Sequence, residues 1–191
     1  MVLPIVAYGH PILRKVAQPI ERDYPDLKQL IDDMYETMYA TSGVGLAAPQ
    51  VNRSIRLLVF DATPFSDEVP EAEGFKRVMI NPEILEESGE PWSFNEGCLS
   101  IPEIREDVVR QPRIRIRYLD ENWVEHDETF DSVMARIIQH EYDHLEGILF
   151  VDRISSLRKT LLRRKLQDIS KGNINPGYRM IFAAAKKKRR S

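Results

Sequence analysis

Leu27, Leu30, Ile31, Met34 and Met38 recur at steps of three and four residues, the spacing that gathers apolar side chains on one helix face. The pattern predicts a helix over residues 24–40, with Pro25 in its first turn and Ser42-Gly43 ending it. Two short apolar runs follow, one within residues 56–61 and the other at Val78-Met79-Ile80, and both read as buried strands. Residues 62–76 between them hold two prolines and several acids without a period, so a surface loop is expected there. Arg113-Ile114-Arg115-Ile116-Arg117-Tyr118 alternates with period two, a half-buried strand with one arginine face. Asp120-Glu121-Asn122 turns it, and residues 123–129 return as the second arm of a hairpin.

A second helix begins near Asp131-Ser132, both good capping residues, and runs through Leu145 to Gly147. Its inward face comprises Val133, Ile137, His140, Glu141 and His144. A third helix is predicted over residues 155–169, with Leu157, Leu161, Leu162, Leu166 and Ile169 as its docking side and arginines and lysines elsewhere. Strands cluster in the middle and helices at the flanks, without βαβ alternation, which makes the class α+β.

Composition narrows the picture. At 42% hydrophobic residues, the 191-residue chain has enough apolar material for one core. A net charge of −3 excludes a globally basic nucleic-acid binder, and no DNA partner is expected. Lys186 to Arg190 carry five positive charges, so the rest of the chain carries −8. We expect a catalytic domain over residues 1–170, including the C-terminal helix, and a basic tail over 171–191. One cysteine, no stretch of ~20 apolar residues and no signal-peptide start lead to an expectation of a soluble protein of a reducing compartment.

His140-Glu141-Tyr142-Asp143-His144 is an HExxH pattern within the second helix. Four-residue spacing stacks both imidazoles on one face, where they can reach one cation, and Glu141 can take a proton from water bound to it. Three charged or polar groups turned toward the core would be costly in a purely structural helix. A third ligand is still required. The longer HExxHxxGxxH pattern fails, because Phe150 stands where its histidine should be. Asp152 and Asp168 are weak candidates, and Glu146 is too near on the same helix. Cys98, in Glu96-Gly97-Cys98-Leu99-Ser100, is a stronger one, since a thiolate suits soft and borderline divalent ions. A lone cysteine can equally be a small buried hydrophobe. Gly43-Val44-Gly45-Leu46-Ala47-Ala48-Pro49-Gln50 would let a substrate approach its backbone closely, although small residues also suit a packed loop.

In this order, GxGLAAxQ, EGCLS and HExxH resemble the signature of the peptide deformylases, and the likeness extends over roughly residues 8–153. The resemblance implies antiparallel sheets packed around a central helix carrying HExxH, followed by a C-terminal helix. It implies removal of the formyl group from the N-terminal formyl-methionine of nascent polypeptides in the bacterial cytoplasm. Cys98, His140 and His144 would hold one Fe²⁺ per chain, for which Zn²⁺, Ni²⁺ or Co²⁺ can substitute. Glu141 would serve as general base and then acid, with metal-bound hydroxide attacking the formyl carbon. The Leu99 backbone N–H and the Gln50 amide would support the oxyanion. Gly45 would bind the substrate main chain, while Val44 and Ile137 line the methionine pocket. The basic third helix and tail suggest ribosome contact. A zinc endopeptidase, a non-catalytic metal-binding member of the same fold and a ribosome-binding module are the competing readings.

Overall fold

The chain runs β1 (Ile5–Val6), α1 (Leu27–Ala40), β2 (Gly45–Ala47), β3 (Leu57–Asp61), β4 (Lys76–Ser88), β5 (Trp92–Cys98), β6 (Ile101–Arg110), β7 (Arg113–Leu119), β8 (Glu125–Phe130), α2 (Ser132–Leu145), α3 (Ser156–Lys171) and β9 (Met180–Ile181), in a computed structural model that describes residues 1–183. The basic run Lys186 to Arg190 lies outside the described residues. Five strands form an antiparallel sheet in the order β2-β3-β4-β7-β8, and β5 and β6 make a separate antiparallel hairpin. Among the described strands, β1 and β9 form a parallel pair that aligns Ile5 with Met180 and Val6 with Ile181. The fold is therefore α+β, as the sequence pattern implies.

Both faces of the large sheet are covered, which explains the unbroken apolar run of β3. Leu58, Phe60, Met79, Ile114 and Ile116 pack toward α2, against Val133, Ile137 and Ile138. Leu57, Val59, Val78 and Ile80 face the other way, onto Ile31, Met34 and Met38 of α1. A third cluster joins Ile104 and Val108 of β6 to Phe150 and to Leu162, Leu166 and Ile169 of α3.

Several expectations need correction. The first helix starts at Leu27, because Asp26 adopts a left-handed conformation (φ 53°) and turns the chain just before it. Residues 62–76 are more than a surface loop: Ala62 and Ala72 are fully buried, and Phe65 and Phe75 pack on the core. The α2 helix has no single inward face, since residues all round it are buried, Arg136, Gln139 and Asp143 included. On α3, Leu162, Leu166 and Ile169 dock, whereas Leu157 and Leu161 are 69% and 63% exposed. The helix meets the body along one narrow edge, and those two leucines fall beyond it.

The division expected at residue 170 falls inside α3, which ends at Gly172 in a left-handed cap (φ 77°). The chain then returns to the core: β9 pairs with β1, and Ile174, Met180, Ile181 and Phe182 join the third cluster.

Candidate metal centre

Two elements bring the centre together. α2 carries His140 and His144 one turn apart, and their rings meet edge-on at a centroid distance of 5.3 Å. At the end of β5, a shift in register between Gly97 and Cys98 swings the cysteine out of the regular ladder. The thiol thereby faces the helix, with Sγ 3.3 Å from His144 Nε2. The Cys98 sulfur and one nitrogen from each imidazole all lie within 4.8 Å of one another. One thiolate and two imidazoles suit Fe²⁺ or another borderline first-row divalent ion. Among the described residues no second group of three such donors converges. Asp152 takes no part, being tied to Arg14 and Lys159, and Asp168 is likewise outside the group.

Buried charge fixes the His140 imidazole. His140 Nδ1–H donates to Glu96 Oε2 at 2.9 Å, which leaves Nε2 free to face the thiol. Glu96 also receives two bonds from Arg110, at 2.7 and 3.0 Å, and one from Arg136 at 2.9 Å. Burial opposes ionisation of Glu96, but the bonds from His140 and Arg110 prevail and hold its carboxylate well below the usual range. From Arg110 the network continues at 2.7 Å to Asp143, to which Arg153 donates from Nε and Nη2. None of these arginines was foreseen. The signal was faint: β6 alternates Ile104, Glu106, Val108 and Arg110 toward the inside, so two of the four inward residues are charged.

Glu141 is 5% exposed, and its Oε2 has no hydrogen-bond partner. Burial pushes its carboxyl up to about 7. Gly45 leaves the room for it: a Cβ at that position would sit 2.5 Å from Glu141 Oε1. Gln50 follows in a 3-10 turn whose Ala47 N–H donates to Gln50 Oε1 at 2.9 Å. That contact aims Nε2 at Cys98 Sγ and Ser100 Oγ, 3.5 and 3.4 Å away.

A cleft of about 500 Å³ opens onto this cluster. Val44, Gly45, Gln50, Cys98, Leu99, Ile137, His140 and Glu141 all line it, so the residues singled out in the sequence meet in one place, with His144 beneath. Phe65, Phe94 and Arg136 line one part of the wall, and Asn175, Pro176 and Tyr178 another. Phe65 comes from the stretch read as a loop, and the last three come from beyond α3.

A buried HExxH helix, a third donor from a neighbouring strand and a buried carboxylate with one unpartnered oxygen beside an open cleft define a metal-dependent hydrolase. A family model described as polypeptide deformylase matches residues 2–160. The peptide deformylase of Christiangramia forsetii is 57% identical over 99% of this chain and 100% of its own. Among solved structures, a plant peptide deformylase superposes with a TM-score of 0.80 at 38% identity, covering 90% of each chain. That of Legionella pneumophila gives 0.78 at 37% identity, over 91% of this chain and 98% of its own. The chain belongs to the peptide deformylase family, the metal-dependent hydrolases that remove the formyl group from newly made polypeptides.

Proposed function

We propose that Cys98, His140 and His144 hold a single Fe²⁺ and that Glu141 carries the proton in removing formate from N-terminal formyl-methionine. One observation carries this reading: the three donors converge within 4.8 Å beside a buried carboxylate that has a free oxygen. Bound there, the ion would supply the Lewis acidity that acidifies water and polarises the formyl oxygen. Glu141 takes a proton from the attacking water and delivers it to the amine nitrogen as the C–N bond breaks, leaving formate and a free amino terminus. Its burial beside the cleft, with Oε2 unpartnered, leaves it placed for both transfers. The Leu99 N–H and Gln50 Nε2 donate to the formyl oxygen as it gains charge. Gly45 receives the substrate backbone, and Val44 and Ile137 take the methionine side chain. A formyl carbon bears only hydrogen, so a narrow site admits it and excludes bulkier acyl groups.

The same reading expects the enzyme in the cytoplasm, with the basic residues of α3 and the basic run 186–190 as attractants for ribosomal RNA phosphate. No described helix is long and apolar enough to cross a membrane.

Anaerobic purification with metal analysis, and deformylation measured alongside, tests the ion: iron should track activity. Glu141→Gln should keep metal and substrate affinity while the rate falls by about 10²–10⁴. A variant within tenfold of wild type would overturn the role given to Glu141. Cleavage of unformylated peptides would favour an endopeptidase.

A further inference from the structure

Beyond α3 the chain makes a second approach to the cleft. Gly177 turns at φ 80° with open space around its α-carbon, and Tyr178 follows. The Tyr178 hydroxyl donates to the Leu99 carbonyl at 2.8 Å, and its ring forms part of the cleft wall with Asn175 and Pro176. Burial pushes the phenol up to about 12, so it is protonated and remains a donor across the neutral range.

The anchor behind it is firm. Ile5 N–H bonds to the Arg179 carbonyl at 2.9 Å, and Ala7 N–H to that of Ile181 at 2.8 Å. Tyr8 N–H in turn bonds to the Ser100 carbonyl at 2.8 Å. Leu99 is thus held from one side by Tyr178 and on the next residue by Tyr8, both fixed through the β1–β9 pair. Its side chain also lies against the backbone of residue 43, where a Cβ would come within 2.9 Å of Leu99 Cδ1.

We propose that Tyr178 is a positioning residue: its bond to the Leu99 carbonyl sets the backbone angles of Leu99 and thereby aims the Leu99 N–H into the cleft. This rests on the reading of that N–H as an oxyanion donor. A donor misplaced by a fraction of an ångström is useful for binding a neutral formyl group but weak against the charge of the transition state. The C-terminal segment is then part of the working site, contributed by a stretch that neither the HExxH nor the EGCLS motif announces.

The experiment is Tyr178→Phe, which removes one oxygen and keeps the ring in the wall. We expect kcat on a short formyl-methionyl peptide to fall about tenfold, with KM, metal content and melting temperature unchanged. Gln50→Ala, singly and in combination, tells the two readings apart. If both residues serve one oxyanion, their losses combine non-additively. Unchanged kcat in Tyr178→Phe overturns the positioning role, while a loss in Gln50→Ala alone leaves the oxyanion reading standing. A loss that multiplies independently with that of Gln50→Ala, or one shared by metal content or melting temperature, also overturns it, since Tyr178 would then act elsewhere or only support the fold.

Discussion

Glu96 accepts the Nδ1–H of His140 at 2.9 Å while two buried arginines, Arg110 and Arg136, close on the same carboxylate. The His140 imidazole is oriented by an anion that is itself immobilised. Replacing Glu96 with alanine frees the imidazole, leaves Arg136 without its carboxylate and leaves Arg110 with Asp143 alone. Metal affinity in chelator competition should weaken by about 10–100-fold. Stability to urea should drop by about 3–5 kcal/mol, the usual cost of leaving buried charge uncompensated. Unchanged metal affinity would show that the helix alone orients His140.

Gly45 and Glu141 are a second dependent pair. Gly45→Ala places a methyl group 2.5 Å from the Glu141 carboxylate. The strand can keep its pairing with Phe60, so the carboxylate is what must move. Deformylation should fall by at least about tenfold with metal content intact, as expected for displacing a general base. A full rate in steady-state kinetics would mean that Glu141 works from another position.

The two leucine lines of α3 should behave differently under mutation. Leu166 is 4% exposed within the third cluster, and Leu166→Ala should cost about 2–5 kcal/mol in chemical denaturation. Leu157→Ala and Leu161→Ala should stay within about 0.5 kcal/mol of wild type, as surface substitutions do. A large loss at Leu161 would contradict its exposed placement.

That contrast shows what periodicity can and cannot tell. Spacing revealed that α3 is a helix with leucines on it, but the direction from which the core approaches is a tertiary fact. The HExxH helix and Cys98 were legible because metal chemistry restricts residue types and their spacing. Arg110 and Arg136 were not, since hydropathy assigns arginine to solvent unless a buried acid such as Glu96 awaits it. Pairing of residue 5 with residue 180 leaves no local trace at all, and Tyr178 was hidden with it.

Asp152, in the turn between α2 and α3, supplies a pH-dependent contribution. Burial opposes its ionisation, yet Arg14, the Leu149 N–H and Lys159 bring its pKa down from 3.8 to about 2. Above pH 4 both folded and unfolded states carry the charge, and the full stabilisation is present. As pH falls from 4 toward 2 the unfolded chain takes up its proton first, and the contribution is lost. Solvent screens this half-exposed cluster, so Asp152→Asn should cost about 1 kcal/mol near neutrality. The difference between variant and wild type in urea denaturation should shrink toward pH 2 and vanish below it. A gap that persists there would place the effect in packing instead.

The parallel pairing of β1 with β9 has a bearing on how the molecule is made. Ile5 leaves the ribosome long before Met180, and the main sheet and α2 can assemble in the interval. The wall formed by Asn175, Pro176 and Tyr178 cannot. Cys98, His140 and His144 can therefore come together before Asn175, Pro176 and Tyr178 complete the cleft wall.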